Sequence, residues 1–279
     1  MSVFLNKNET GFRGTKTMHT YPVSISLSSY GAELVRQQGQ LSFVQLLAQA
    51  GAQRIEWREE LLTVEQPAEL AQAVAAQGLE AVFSSPLELW VAGRAQPNAE
   101  LSATLDRAQA FGARWLKVSL GYFTDTNDLE SLHALLRRHP VHLLVENDQT
   151  LHGGRIEPMQ RFFSEVERLG LPIKMTFDIG NWQWQDQSAL TAARLLGRHV
   201  DYLHCKAVSR RADGKLVALP PGASDLHQWE QLLSHMTQGI TRAVEFPLHG
   251  DDLLDVTTRQ VASLAVLGQP LAENADVCD

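Results

Sequence analysis

Apolar and polar positions along this chain follow two rhythms. Short runs of crowded apolar residues read as buried strands: VSISLSS (23–29), RIEWR (54–58), EAVFSS (80–85) and RWLKVSL (114–120), then HLLVEN (142–147), KMTFDIG (174–180), YLHCKAV (202–208) and RAVEFPL (242–248). Between them, apolar residues recur at spacings of three and four, which predicts helices over 43–50, 67–78, 99–112, 128–139, 156–170, 188–197, 225–236 and 252–268. Gly51, Gly78, Gly112, Gly170, Gly197 and Gly268 stand where six of these helices should stop, and Asp128 stands where one should start.

Eight strands alternating with eight helices predict a single closed (β/α)8 TIM barrel over residues 21–268. A polar N-terminal extension (1–20) precedes it and a C-terminal tail (269–279) follows. An open doubly wound sheet is the structural alternative. It would carry a Gly-rich phosphate loop after the first strand, where this chain reads SLSSYGAELV. The longest connection, 208–224, follows the seventh strand, and such loops in barrels lie on the active face.

Bulk composition narrows the partners. A net charge of −8 argues against nucleic acid, because phosphate binding needs a basic face. No apolar run reaches the roughly 20 residues of a membrane helix. Residues 1–20 lack the apolar stretch of a secretory signal. Two cysteines, Cys205 and Cys278, make no disulfide framework, so a reducing cytoplasm is the simpler compartment.

Four of the predicted strands end in a side chain that can ligate a metal: Glu146, Asp178, His204 and Glu245. They lie about one strand–helix unit apart, so parallel neighbours would deliver all four to one mouth. Three carboxylates and an imidazole so crowded repel and desolvate one another unless a divalent cation holds them. Carboxylate-rich donors favour Mn²⁺ or Mg²⁺, and the imidazole also admits Co²⁺ or Zn²⁺.

In this order, Glu146 in VEN, Asp178 in FDIGN, His204 in HCK and Glu245 in VEF, the chain resembles the xylose-isomerase-like sugar isomerases and epimerases. That group includes ketose 3-epimerases, enzymes of inosose metabolism and the related endonuclease IV fold. The opening SISLSSYGAEL and the EWREELL stretch also look like the epimerases of bacterial 2-ketogluconate-utilisation operons. The resemblance implies a metal-dependent isomerase or epimerase of a ketose or keto-sugar acid. Glu146 and Glu245 would then be the acid/base pair, removing a proton alpha to a metal-bound carbonyl and returning one to the opposite face of an enediolate. An inosose-type dehydratase and a non-catalytic sugar-binding barrel are the alternatives. The expected partner is a small sugar or sugar acid, and association of identical chains is left open.

Further residues fall near the expected mouth. Glu56 and Arg58 end the second strand, where Glu56 could grip a hydroxyl and Arg58 a carboxylate or phosphate. Lys117, in a buried strand, needs a partner or a place at the mouth. Lys206 follows His204 by two and shares its face. Many family members carry D-x-x-H after the sixth strand; this chain has D-I-G-N, so Asn181 takes the histidine's place and offers a hydrogen bond without titrating. Arg210 fills the position six after the strand 7 histidine, where members often have arginine. These six residues are expected to contact substrate. His152 and the tryptophans Trp90, Trp182 and Trp184 are further candidates for the wall. Asp225 and His227 resemble an endonuclease IV zinc motif, but the other histidines that enzyme needs are missing, and Asp225 reads more simply as a helix cap.

Overall fold

The eight apolar runs pair as parallel strands and close on themselves in the computed structural model, which describes residues 20–269. The first strands are β1 (Val23–Ser26), β2 (Arg54–Arg58), β3 (Glu80–Trp90) and β4 (Ala113–Gly121). There follow β5 (His142–Glu146), β6 (Ile173–Asp178) and β7 (Val200–Cys205). A hairpin of β8 (Ala207–Arg210) and β9 (Leu216–Leu219) precedes the last barrel strand, β10 (Thr241–Val244), which pairs with β1 and shuts the ring. The (β/α)8 TIM barrel expected from the strand count is the fold that forms. Apart from Thr20 and Gln269, the expected N-terminal extension and C-terminal tail lie outside the described residues.

Helices α1 (Ala32–Gln38), α2 (Val44–Gln49), α3 (Pro67–Ala76), α4 (Leu101–Ala110) and α5 (Leu129–Leu136) follow the first four barrel strands. Then come α6 (Ile156–Leu169), α7 (Ala189–Leu196), α8 (Ala223–Leu233) and α9 (Leu253–Val266). Helix α6 illustrates how pattern becomes packing. Met159, Phe162, Phe163 and Val166 fall on one face, all four are buried, and Gly170 ends the helix in the left-handed region. Gly197 ends α7 differently. Its φ is −54°, and a Cβ there would lie 2.1 Å from the His235 carbonyl oxygen, so close approach and not backbone conformation requires glycine. Asp128 caps α5 by accepting from the Ser131 amide. Asp225 also caps, but from inside α8, accepting from the Gly222 amide at 2.8 Å. Its neighbour His227 is exposed and faces Glu230.

The barrel has two packed regions. Between strands and helices runs one continuous apolar core. Inside the ring, Val82, Trp115, Leu144, Tyr202 and Ala243 form a small apolar plug, with Arg54 stacked 4.0 Å over Trp115. Beside and beyond that plug the inward side chains turn polar. Register sets their levels: Glu56 pairs with Val82, Lys117 with Leu144, Glu146 with Thr176, and Asp178 with His204. Among the described residues no helix is long and apolar enough to cross a membrane.

Candidate metal centre

Glu146, Asp178 and His204 stand at the last or next-to-last residue of β5, β6 and β7, and Glu245 directly follows β10. This is the C-terminal rim, where (β/α)8 barrels assemble their sites. Glu146 Oε1, Asp178 Oδ2, His204 Nδ1 and Glu245 Oε2 converge on one point. Each of the four residues offers one ligand atom, and these atoms lie within 4.8 Å of one another. His204 Nδ1 is 2.8 Å from Glu146 Oε1, 2.9 Å from Glu245 Oε2 and 3.8 Å from Asp178 Oδ2. Two ligands at right angles on a Mg²⁺- or Mn²⁺-sized ion stand about 3 Å apart, so the spacing suits such a cation.

Each carboxylate turns one oxygen inward and has the other held. Glu146 Oε2 accepts from Lys117 Nζ. Asp178 Oδ1 accepts from the backbone amides of Gly180 and Asn181, at 2.9 and 3.0 Å. Glu245 Oε1 accepts from Arg58 Nη1 at 3.0 Å. Three of the inward atoms, Glu146 Oε1, Asp178 Oδ2 and His204 Nδ1, are buried without a well-formed hydrogen bond. Asp178 Oδ2 meets the Lys206 ammonium, and Glu146 Oε1 and His204 Nδ1 meet each other, so a bound cation would give all three a common partner. The donor set therefore fits a divalent metal.

The second ring nitrogen of His204 explains Glu56. His204 Nε2 lies 2.7 Å from Glu56 Oε2, and an ionised carboxylate can only accept, so Nε2 carries the proton. In the neutral ring Nδ1 is then the lone pair. Glu56 is fully buried and also accepts from Tyr202 Oη, Ser26 Oγ and Arg58 Nη1. It lies buried beneath His204 and fixes the orientation of that ring, whereas the sequence places it at the mouth to grip a substrate hydroxyl.

The other expected contacts are likewise committed. Arg58 bridges Glu56, Glu60 and Glu245. Lys117 pairs with Glu146, and Lys206 pairs with Asp178 Oδ2 at 2.7 Å and Glu245 Oε2 at 2.9 Å. Asn181 is 5% exposed, donates to the Asn147 carbonyl and accepts from Gln149 Nε2. Arg210 is exposed on the hairpin and donates to the Gly214 carbonyl across its turn. Trp90 and Trp182 are fully buried and so are packing, not wall. His152 does sit at the rim. It stacks on Tyr122 with ring centroids 3.6 Å apart and lies 2.8 Å from Glu88 Oε1.

Two residues escaped the sequence reading. Asn147 is fully buried and clamps the Asp178 backbone from both sides, donating to its carbonyl and accepting from its amide. Tyr202 holds Glu56 in place from below. Asn147 follows a proposed ligand directly and Tyr202 precedes one by two, so adjacency was the available signal.

Electrostatics follow from the pairing. Burial alone would raise every carboxyl here. His204, Lys117 and Arg58 outweigh it at Glu56 and bring that group to about 2. Lys117 and His204 hold Glu146 below the ordinary carboxylate range, and His204, Lys206 and Arg58 hold Glu245 well below it. At Asp178 burial wins over Lys206 and the group is raised. Burial would lower His204, but Glu245, Glu56 and Glu146 around it raise it well above the ordinary imidazole value.

Known proteins share this architecture. A xylose isomerase domain protein from Salmonella typhimurium LT2 superposes with a TM-score of 0.66 at 16% identity, covering 89% of this chain and 98% of its own. D-psicose 3-epimerase from Clostridium cellulolyticum H10 gives 0.63 at 11%, covering 89% and 100%. The IolI protein, solved with a bound zinc atom, gives 0.67 at 12%, covering 89% and 100%. At such identities the likeness is one of fold. Among curated protein sequences none matches. The family model of the xylose isomerase-like TIM barrel matches residues 44–264, which is most of the chain. The chain belongs to the xylose isomerase-like TIM barrel family.

Proposed function

We propose that this protein is a divalent-metal-dependent isomerase or epimerase of a ketose or keto-sugar acid. The observation that carries the proposal is the inward convergence of Glu146 Oε1, Asp178 Oδ2, His204 Nδ1 and Glu245 Oε2, with every outward oxygen already held. Three carboxylate oxygens and one imidazole nitrogen suit Mn²⁺ or Mg²⁺ first. Solved structures of D-psicose 3-epimerase and L-ribulose 3-epimerase share the fold, so this scaffold can host such chemistry.

A divalent cation held by the quartet would polarise a substrate carbonyl and acidify the neighbouring C–H. The chain's own residues would do the rest. Glu146 and Glu245 are both drawn toward the ionised form, so either can start as the base. They reach the site from β5 and from the end of β10, with β6 and β7 between, which suits attack on opposite faces of a bound sugar. The glutamate that inverts the carbon must first acquire a proton from solvent or a substrate hydroxyl, so solvent hydrogen enters the product. Lys117, buried against Glu146, would keep that carboxylate aimed. Arg58, Lys117 and Lys206 are spent on the site's own acids and give no reason to prefer an anionic substrate.

The test is deuterium wash-in at the carbon alpha to the carbonyl, in Mn²⁺, over a panel of ketoses and 2-keto sugar acids. Glu146→Gln and Glu245→Gln should each abolish exchange with the substrate that works. Exchange retained in both variants would sink the scheme. Product mass separates an epimerase, which conserves it, from a dehydratase, which loses water.

A further inference from the structure

Three cations reach the quartet, and they do not do the same thing. Lys117 and Arg58 each grip an outward oxygen, Glu146 Oε2 and Glu245 Oε1, and so support the ligands from behind. Lys206 grips the inward ones. Its Nζ is 2.7 Å from Asp178 Oδ2 and 2.9 Å from Glu245 Oε2, the same two atoms that complete the convergent set. A divalent cation bound by the quartet has to share both oxygens with this ammonium or move it.

The placement of Lys206 is not loose. The residue is 7% exposed and stands two positions beyond His204. Its stem lies against Gly180, where a Cβ would come within 2.8 Å of Lys206 Cγ and 2.6 Å of Val208 Cγ2. Glycine at 180 leaves the room the stem occupies. The amide of the same Gly180 fixes Asp178 Oδ1, so one short segment turns Asp178 Oδ2 inward and admits the lysine to it.

We infer that Lys206 is an internal counter-ion that competes with the metal for Asp178 Oδ2 and Glu245 Oε2. It holds those carboxylates together without a metal and weakens the metal once it binds. Two like charges sharing two oxygens repel strongly in a buried site, where screening is poor. The affinity of the centre is therefore set low by one side chain that ligates nothing, and the cation exchanges instead of being held for the life of the fold. Lys206 is a positioning residue in this account. The inference rests on the metal reading given above.

The experiment is a calorimetric titration of chelator-treated protein with Mn²⁺, for the native chain, Lys206→Met and Lys206→Arg. Met keeps the stem and removes the charge, and Arg keeps the charge. Lys206→Met should bind Mn²⁺ at least about tenfold more tightly, and its melting temperature should rise more on adding Mn²⁺ than that of the native protein. Lys206→Arg should stay near the native affinity. A folded Lys206→Met that binds Mn²⁺ no more tightly than the native chain overturns the inference and leaves the metal reading standing. A Lys206→Met that folds only with Mn²⁺ upholds it, because the metal then replaces the ammonium. One that stays unfolded even with Mn²⁺ overturns it. Absence of Mn²⁺ binding in every chain fells the metal reading itself, and the inference with it.

Discussion

Glu56 and His204 form a fully buried acid–imidazole pair, 2.7 Å from Oε2 to Nε2, directly under the point where the quartet converges. The carboxylate fixes the ring so that Nδ1 faces its neighbours Glu146 and Glu245. Replacing Glu56 by Gln keeps the shape and removes the charge. Partners of this kind typically contribute 10–100-fold in metal affinity, so the Mn²⁺ dissociation constant of Glu56→Gln should rise by about that factor. An unchanged constant would show that His204 does not depend on Glu56.

Asn147 offers a test of the scaffold apart from the chemistry. Its amide makes two hydrogen bonds to the Asp178 backbone, at 2.8 and 2.9 Å, in a buried setting. Asn147→Ala leaves a buried carbonyl and a buried amide without partners. That should cost about 2–4 kcal/mol in urea unfolding, from about 1–2 for each group. A loss below about 0.5 kcal/mol would mean that another group or water takes over.

Removing or adding the metal should move stability by mass action. With Mn²⁺ at about 100 times its dissociation constant, the folded state gains about 2.7 kcal/mol if the unfolded chain does not bind it. Thermal melts in chelator and in excess Mn²⁺ should separate accordingly. Superposed melts would count against a cation in this site.

His199 sets an acid-side dependence that does not involve the quartet. The ring is buried, stacks on Phe163 at 5.1 Å, and has Arg198 beside it. Burial and then Arg198 lower it from its usual 6.5. The unfolded chain therefore takes up the proton first as pH falls. Its contribution to stability is present above about pH 6.5 and is lost as pH falls through the folded value. The stability difference between the native protein and His199→Phe should shrink or reverse as pH is lowered from about 7.5 to 5. A difference that stays flat would remove His199 as the source.

The order of strands and helices was legible because each carries its period openly, and eight glycine- or cap-bounded units leave little choice of fold. The quartet was legible because strand ends in a closed ring share a mouth. Depth was not. Nothing in RIEWR says that Glu56 lies a level below the rim while Arg58 reaches Glu245, because strand parity gives the face and not the height. The loop elements were also hidden. Helix α1 exposes most of its residues and buries only Val35, so it shows little apolar stripe. The hairpin β8–β9 buries only Ala207 fully and pairs only with itself. Arg58, Lys117 and Lys206 stand out in the sequence as cations in or beside buried strands, but which acids they pair with is set by the closed ring and is visible only in three dimensions.

Val208 joins that hairpin to the centre. It and Lys206 both press on Gly180, so the first strand of the hairpin is seated against the segment that aims Asp178. The tip, around Arg211 and Lys215, is exposed and carries no such constraint. The connection thus divides into a fixed root and a replaceable end. In a lineage of descendants, or in a library of variants, the tip can lengthen, shorten or change sign while the root keeps Asp178 aimed.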